Sequence, residues 1–235
     1  MRLYQRVREA TFLARPNRFI AQCLLAGEEV VCHVKNTGRC RELLLPGARV
    51  WLAESDNPAR KTRYDLVCVE SRGLVVNMDS QAPNRVFAQW AREGGFLPGL
   101  TALRPEVAYG TSRFDFAYRR GEAAGFVEVK GVTLFDGAGM AYFPDAPTER
   151  GVKHIRELIA AHQTGYEAAL CFVLQREGVT GVKPNDATHP AFGDALEEAA
   201  AAGVLLTAAV CEATPDSLTI TRTAPVILTD RRPAP

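Results

Sequence analysis

Residues 112–132 read SRFDFAYRRGEAAGFVEVKGV, and they decide how the second half of the chain folds. Apolar and polar side chains alternate along residues 113–118 and again along residues 126–132. Because successive side chains of a strand point to opposite faces of a sheet, this period of two predicts two β-strands. Strands that follow each other in sequence are usually neighbours in space, so we expect these two to pair.

Three charged residues of these strands can meet at one point. The alternation places Asp115 on the strand face opposite the three aromatic residues around it. On the second strand Glu128 and Lys130 share one face, and the two valines between and before them share the other. When the strands pair, Asp115 and Glu128 converge, with Lys130 beside them.

This convergence predicts a metal site with catalytic potential. Two carboxylates at one point suit a hard dication, so Asp115 and Glu128 are predicted to bind Mg²⁺ or Mn²⁺. Glu106 is predicted to assist them, and the Val129 carbonyl oxygen is a further candidate ligand. Lys130 can orient or deprotonate a metal-bound water and contact a phosphate oxygen. The predicted catalytic residues are therefore Asp115, Glu128, Lys130 and Glu106.

A solvated ion pair is the alternative interpretation of Glu128 and Lys130, since a half-exposed strand often carries Glu and Lys two residues apart. The context favours a site, because Asp115 lies thirteen residues upstream on a neighbouring strand. The next predicted helix also has a polar face opposite its apolar stripe, formed by Arg150, Lys153, His154 and Glu157.

The second half of the chain is predicted to be an α/β domain with a mixed or parallel sheet. Helices are predicted from Asn84, as the cap, to residue 93, at residues 149–162 after the cap Thr148, and at residues 191–202. Continuous apolar strands are predicted at residues 168–174 and 204–210, and such strands are typical of a sheet covered on both faces.

The first half has a different rhythm. Short strands alternate with turn residues at 19–25, 30–34, 49–53, 63–69 and 74–77, and residues 39–45 are predicted to form a brief helix. Five or so short strands with one small helix predict a small barrel of the OB type. We therefore expect two domains, a barrel over residues 1–82 and the α/β domain over residues 83–235, with residues 231–235 frayed at the end.

The distribution of charge suggests a polyanionic partner. Residues 1–85 carry 14 Lys and Arg against 9 Asp and Glu, whereas the whole chain has a net charge of only +1. Clustered Arg and Lys attract phosphates, although an ordinary solvated surface would look the same. The predicted nucleic-acid contacts are Arg15, Arg18, Lys35, Arg39, Arg60, Lys61, Arg150, His154 and Arg176.

Composition excludes other classes of protein. With 47% hydrophobic and 23% charged residues, the chain is neither disordered nor a coiled coil. No apolar run is long enough to span a bilayer, and no signal peptide is visible, so a cytoplasmic protein is expected. The six cysteines form no CxxC pair; Cys32, His33 and Cys40 lack a fourth zinc ligand, and buried free thiols are favoured.

Several short phrases in a fixed order then point to one family. They are Arg15-Pro16-Asn17-Arg18-Phe19, His33 with Asn36-Thr37-Gly38-Arg39, Arg60-Lys61-Thr62, Ser112-Arg113-Phe114-Asp115, Glu128-Val129-Lys130-Gly131-Val132-Thr133, Phe143-Pro144-Asp145-Ala146 and Thr148-Glu149-Arg150-Gly151. Together they resemble the sugar fermentation stimulation protein A (SfsA) family of prokaryotes. The spacing Asp-x(12)-Glu-x-Lys also resembles the PD-(D/E)xK nuclease signature, although Arg113 and Phe114 stand where the proline before the Asp is usual.

The resemblance implies an N-terminal OB-like barrel, a C-terminal PD-(D/E)xK nuclease-like domain, DNA binding and a role in regulating sugar-metabolism genes. Two interpretations of function follow. One is a metal-dependent phosphodiester hydrolase, and the other is a non-catalytic DNA-binding regulator that keeps the nuclease scaffold. A small-molecule enzyme of sugar metabolism is disfavoured, because no nucleotide loop or nucleophile motif is present. DNA is the expected partner, no membrane is expected, and homodimer formation is left open.

Overall fold

A computed structural model describes residues 1–36, 38–110 and 112–229. Thr37, in the predicted turn after Asn36, and the predicted frayed end 231–235 lie outside these residues. In the first part the strands are β1 (Val7–Asn17), β2 (Ile20–Leu25), β3 (Glu28–Val34), β4 (Arg49–Glu54), β5 (Tyr64–Ser71) and β6 (Leu74–Asn77). The second part contains α1 (Ala82–Arg92), β7 (Leu100–Tyr109), β8 (Ser112–Arg120), β9 (Ala123–Val132), β10 (Leu134–Phe135), β11 (Met140–Phe143), α2 (Glu149–Gln163), β12 (Glu167–Leu174), β13 (Gly181–Pro184), α3 (Pro190–Ala201), β14 (Leu205–Ala213) and β15 (Leu218–Ala224).

The first six strands form the predicted barrel. Their order is β3-β2-β1-β4-β5-β6, and a parallel pairing of β3 with β5 closes the first five strands into a ring. Inward side chains such as Phe12, Leu52 and Leu66 fill the interior and are almost completely buried. Residues 41–43 form turns where a brief helix was predicted, since the αL conformation of Cys40 and then Pro46 leave too few residues for one.

The second sheet has the order β15-β14-β12-β9-β8-β7 and confirms the predicted mixed sheet. Strands β9, β12 and β14 are parallel, and the outer strands are antiparallel. Helices α2 and α3 cover one face of the sheet, and α1 covers the other. Burial on both faces explains why β12 is apolar along nearly its whole length. Among the described residues, no helix is long and apolar enough to cross a membrane.

The predicted alternation along β8 is wrong at one point. Phe116 and Tyr118 pack under α1, but Phe114 packs on the opposite face, against the α2 core. The alternation is therefore interrupted at Asp115. Opposite this position on β7, Glu106 has a positive φ of 53°, which is rare for a residue with a side chain.

A buried polar cluster fixes the barrel against the second domain. Asp79 is 1% exposed and accepts hydrogen bonds from the Tyr4 hydroxyl at 3.2 Å and from Lys35 Nζ at 2.7 Å. Gln175 is also 1% exposed, and its Nε2 donates to the Asn77 carbonyl at 3.0 Å and to the Asp79 carbonyl at 3.2 Å. Because Gln175 of the second domain bonds to the carbonyls of Asn77 and Asp79 at the end of the barrel, this cluster holds the two domains in one relative position.

The start of the chain adds a second connection between the domains. The Leu3 and Tyr4 N–H groups donate to the Asp216 carbonyl, and the Leu218 N–H donates to the Met1 carbonyl. Residues 1–4 thus extend from the barrel to the turn between β14 and β15.

Candidate functional site

The site is built where β8 and β9 separate. Their pairing runs from Arg120 and Ala123 to Phe116 and Val127 and stops there. Beyond that point Asp115 Oδ2 accepts the Val129 N–H at 2.8 Å and takes the place of a backbone partner. The Asp115 carboxylate is thereby held next to Glu128, which confirms the predicted convergence of the two acids on neighbouring strands.

Glu128 is a buried carboxylate with one oxygen left over. It is 2% exposed, and its Oε1 accepts hydrogen bonds from Lys130 Nζ at 2.5 Å and from His154 Nδ1. Burial raises the pKa of Glu128, but the hydrogen bond from His154 and the charge of Lys130 outweigh it, so the net pKa is below its usual range. Its Oε2 is buried without a hydrogen-bond partner in the described part of the chain.

The negative charge of Asp115 is disfavoured beside Glu128. Burial raises the pKa of Asp115, and the nearby negative charge of Glu128 raises it further, against the hydrogen bond from Val129. A carboxylate whose charge is disfavoured, beside a second one with a buried unpaired oxygen, fits a hard cation that both can bind. Within residues 1–36, 38–110 and 112–229, no three His, Cys, Asp or Glu side chains are grouped closely enough to hold a metal. The donor set is therefore two carboxylates, to be completed by water or substrate oxygens, as Mg²⁺ often accepts.

Asn84 belongs to the site, although it was predicted to be the N-cap of a helix. Helix α1 begins at Ala82, two residues before Asn84, and its N-cap is Gln81, whose side chain makes no capping hydrogen bond. Asn84 is consequently inside the first turn, where its Nδ2 donates to Asp115 Oδ1 at 2.8 Å. Pro83, which suits the first turn of a helix, was the signal that could have moved the predicted start.

His154, predicted on the polar face of α2, lies inside the protein. It is 6% exposed and contacts Glu128, since that face of α2 packs over β9. Arg150 Nε donates to His154 Nε2 at 3.3 Å, an arrangement that assigns the ring proton to Nδ1, facing the carboxylate. His154 therefore orients Glu128 in this geometry, and Arg150 lies at the mouth of the site.

An open cavity of ≈ 240 Å³ gives access to these groups. Its walls are polar and include the acid pair, Lys130, Arg150 and Glu106. Glu106 lies at the rim, with a side chain 66% exposed and 3.2 Å from Arg113. The structure thus brings all four predicted catalytic residues to one cavity, with Glu106 outside the buried pair.

Comparison with known proteins gives two family-model matches that together span most of the chain. The model described as "SfsA N-terminal OB domain" matches residues 13–78, and the model described as "Sugar fermentation stimulation protein RE domain" matches residues 81–217. The chain belongs to the sugar fermentation stimulation protein (SfsA) family. The barrel is accordingly an OB domain, followed by the mixed-sheet α/β domain.

Members of the SfsA family from other organisms are similar over nearly their full length. A sugar fermentation stimulation protein homolog of Desulfitobacterium hafniense is 52% identical over 215 residues, 92% of this chain and 93% of the relative. A homolog from Clostridium beijerinckii is 47% identical over 225 residues, 96% of this chain and 99% of the relative. The solved structure of Pyrococcus furiosus SfsA in complex with Ca²⁺ has a TM-score of 0.87 at 26% identity, covering 97% of this chain and 99% of the other.

The predicted nucleic-acid contacts of this SfsA family member fall into different surroundings. Arg18 and Arg39 line an open basin of ≈ 450 Å³ at one end of the barrel. Arg15 lines it too, but its guanidinium donates to four backbone carbonyls, those of Arg18, Asn36, Gly38 and Arg39. This geometry favours a role for Arg15 in holding the loop rather than in binding a ligand.

Four further predicted contacts lie away from the acid pair. Lys35 forms an ion pair with Asp79, and Arg60 forms a bidentate ion pair with Asp65 through both terminal nitrogens. Lys61 is exposed on the barrel. Arg176 is 6% exposed, its guanidinium lies 4.6 Å from the centre of the Phe135 ring, and burial lowers its pKa. Their predicted contact with nucleic acid stays a prediction.

The cysteines match the expectation of buried free thiols. All six are free and buried, and burial raises the pKa of those deepest in the core, such as Cys40, whose pKa is raised to about 12. Such thiols are protonated and poor metal ligands at neutral pH.

Proposed function

We propose that this protein binds DNA and hydrolyses its phosphodiester bonds with Mg²⁺ or Mn²⁺ held by Asp115 and Glu128. The observation that carries the proposal is the buried, unpaired Oε2 of Glu128 beside a second carboxylate whose charge is disfavoured. An isolated buried carboxylate oxygen costs several kcal/mol, on the order of 2–7 kcal/mol for an unpaired polar group, unless something binds it.

Each residue of the site has a role in this chemistry. Asp115 and Glu128 would hold the ion, and Asn84 and His154 fix the orientation of those two carboxylates. Bound there, Mg²⁺ or Mn²⁺ supplies Lewis-acid polarisation of a phosphate oxygen and a lowered pKa for a water molecule. Lys130, whose Nζ contacts Glu128, would donate to a phosphate oxygen or move a proton to or from the attacking water.

Two further observations support the proposal. Asp115 and Glu128-x-Lys130 lie on adjacent strands of a mixed sheet, as the PD-(D/E)xK resemblance implied. The Pyrococcus furiosus relative is described in complex with Ca²⁺, a hard divalent cation that takes oxygen ligands like those of the acid pair.

A specific observation favours a second candidate, a non-catalytic DNA-binding regulator. The part of the chain that the structure describes offers no third acidic or histidine ligand beside the pair, and Lys130 is already bound to Glu128. A protein that only binds DNA would need neither a complete metal site nor a mobile lysine.

A cleavage assay separates the two candidates. End-labelled DNA is incubated with the purified protein and Mg²⁺ or Mn²⁺, in parallel with Asp115→Asn and with Glu157→Gln. Glu157 is a matched control, because it also has a buried unpaired carboxylate oxygen but bonds to Ser112 outside the acid pair. Cleavage by the wild type and Glu157→Gln, but not by Asp115→Asn, is expected. Binding without cleavage on every DNA tested would leave only the regulator, and cleavage that survives Asp115→Asn would remove the site.

A further inference from the structure

Three cavities lie side by side along the junction between the two domains. The arginine basin (≈ 450 Å³) and a middle pocket (≈ 190 Å³) share Gly38 as a lining residue. The middle pocket and the acid cavity (≈ 240 Å³) share Ser80. The three cavities therefore lie next to one another in a row, which we call the junction track.

The chemistry of the junction track changes along its length. At the basin, Arg39 and Arg41 are exposed, and neither guanidinium has a carboxylate partner among residues 1–36, 38–110 and 112–229. Phe19 next to the basin is 44% exposed, with the Arg18 guanidinium 4.8 Å from its ring centre. Exposed arginines with an exposed aromatic ring are the components of a platform on which phosphates pair and a base stacks.

The middle pocket is bounded by both domains, and its lining is uncharged apart from Asp145, whose Oδ2 accepts the Arg39 N–H at 3.0 Å. Its barrel side contributes Gly38, and its other side contributes Thr133, Tyr142 and Gln175. All the hydrogen bonds of Gln175 Nε2 go to residues 77 and 79, so the amide orientation is fixed and Oε1 lies on the pocket side, where a Cβ on Gly131 would be 2.6 Å away. Such a wall presents hydrogen-bonding edges suited to a nucleobase.

The size of the middle pocket limits which ligands fit along the junction track. The two walls are held together by Gln175, so they cannot separate without breaking its hydrogen bonds to the Asn77 and Asp79 carbonyls, at 3.0 and 3.2 Å. A pocket of ≈ 190 Å³ is too small for a base pair with both its strands. Enzymes that do chemistry on a base inside a pocket use a single strand or an extruded nucleotide.

We infer that the ligand of the junction track is single-stranded DNA. Its backbone runs from the arginine basin to the acid cavity, and one of its bases lies in the middle pocket. This inference rests on the proposed function and adds the substrate class. Phe19 stacks a base at the entrance, Arg39 and Arg41 bind the phosphates there, and the exposed Ser80 borders the passage to Asp115 and Glu128.

Fluorescence anisotropy in EDTA tests the inference without any hydrolysis. The probe is a fluorescein-labelled oligonucleotide of about 12 nucleotides, within the usual site size of an OB domain, used alone or annealed to its complement. The single strand is expected to bind about tenfold tighter or more. Phe19→Ala should weaken its binding about fivefold or more, the low end of the effect of losing one base–aromatic stack. Leu205→Ala, which truncates an equally exposed side chain on β14, is the control and should change nothing.

A second pair of variants tests the path itself. Ser80→Trp should obstruct the passage and weaken single-strand binding, whereas Ser80→Ala, which only removes the hydroxyl bonded to the Lys35 carbonyl, should not. Circular dichroism and the melting temperature check that both variants fold. Duplex binding as tight as the single strand, or an unchanged affinity in Ser80→Trp, would overturn the inference while leaving metal-dependent cleavage to stand. Absence of binding to either form of DNA would remove the proposed function as well.

Discussion

Mn²⁺ should raise the melting temperature of the wild-type protein, and the double substitution Asp115→Asn with Glu128→Gln should abolish that gain. An ion that binds only the folded state at about 100 times its dissociation constant adds about 2.7 kcal/mol to the free energy of unfolding. For a chain of this length, 1 kcal/mol corresponds to about 2–4 °C, so we expect a rise of about 5–11 °C. The substituted amides keep the volume of the buried side chains but remove both negative charges.

The two carboxylates should also give the metal effect a pH dependence. The pKa of Asp115 is raised in the folded state, so without metal its ionisation lowers stability as pH rises from its ordinary pKa through the raised one. The pKa of Glu128 is lowered, so its stabilising contribution is present above its ordinary pKa and is lost as pH falls through the lowered one. Since Mn²⁺ must displace the Asp115 proton, the metal-induced gain should grow as pH rises through the raised pKa of Asp115.

Differential scanning calorimetry with and without Mn²⁺, at several pH values, measures both effects. Glu157→Gln serves as the control, because it neutralises another partly buried carboxylate outside the acid pair and should retain the full gain. An equal Mn²⁺ shift in the wild type and the double variant would refute the assignment of the ion to Asp115 and Glu128. A gain that shrinks as pH rises would refute the role given to the Asp115 proton.

Further substitutions separate the roles of individual residues. Lys130→Ala should leave Mn²⁺ binding in calorimetry nearly intact, because an ammonium cannot bind a cation, yet lower the cleavage rate about 10²- to 10⁴-fold in single-turnover assays. Asn84→Ala removes one hydrogen bond to Asp115 and should cost about 1 kcal/mol in urea unfolding, with weaker Mn²⁺ binding. Lys35→Met leaves the buried Asp79 charge unpaired and should lower the free energy of unfolding by about 3 kcal/mol in the same assay. Weaker DNA binding at unchanged stability would instead make Lys35 a phosphate contact. Arg39→Gln with Arg41→Gln should reduce the slope of log affinity against log salt by about 0.7 per arginine for a single strand, and an unchanged slope would place the phosphates elsewhere.

The acid pair could be predicted from sequence because it depends on local rules. Alternation along β9 fixes Glu128 and Lys130 on one face, and the adjacency of β8 brings Asp115 to them. The same rule failed for Phe114, which packs on the opposite face from Phe116, next to the positive φ of Glu106 on β7. No propensity signals a positive φ at a glutamate, so this departure could not be predicted.

Residues that act through tertiary contacts were harder to predict. His154 was assigned to the polar face of α2 with its charged neighbours, yet Glu128 supplies a buried partner that the helix pattern does not contain. Strand β1 was not predicted, because exposed charged residues, Arg8 and Glu9 among them, interrupt its apolar period. β7 was not predicted for a similar reason: it is an edge strand with few buried side chains.

Because residues 1–4 form hydrogen bonds with the turn at 214–218, these contacts can form only late in synthesis on the ribosome. The barrel strands emerge first, but the partners of Leu3 appear only some 210 residues later, about 10–40 s at ordinary elongation rates. Until then the cluster of Tyr4, Trp51 and Cys68 lacks its cover, since the Cys68 thiol faces the carbonyls of Thr214 and Pro215. A nascent barrel therefore exposes apolar surface to chaperones until nearly the whole chain has been translated, and a premature stop before residue 214 would leave that surface open for good.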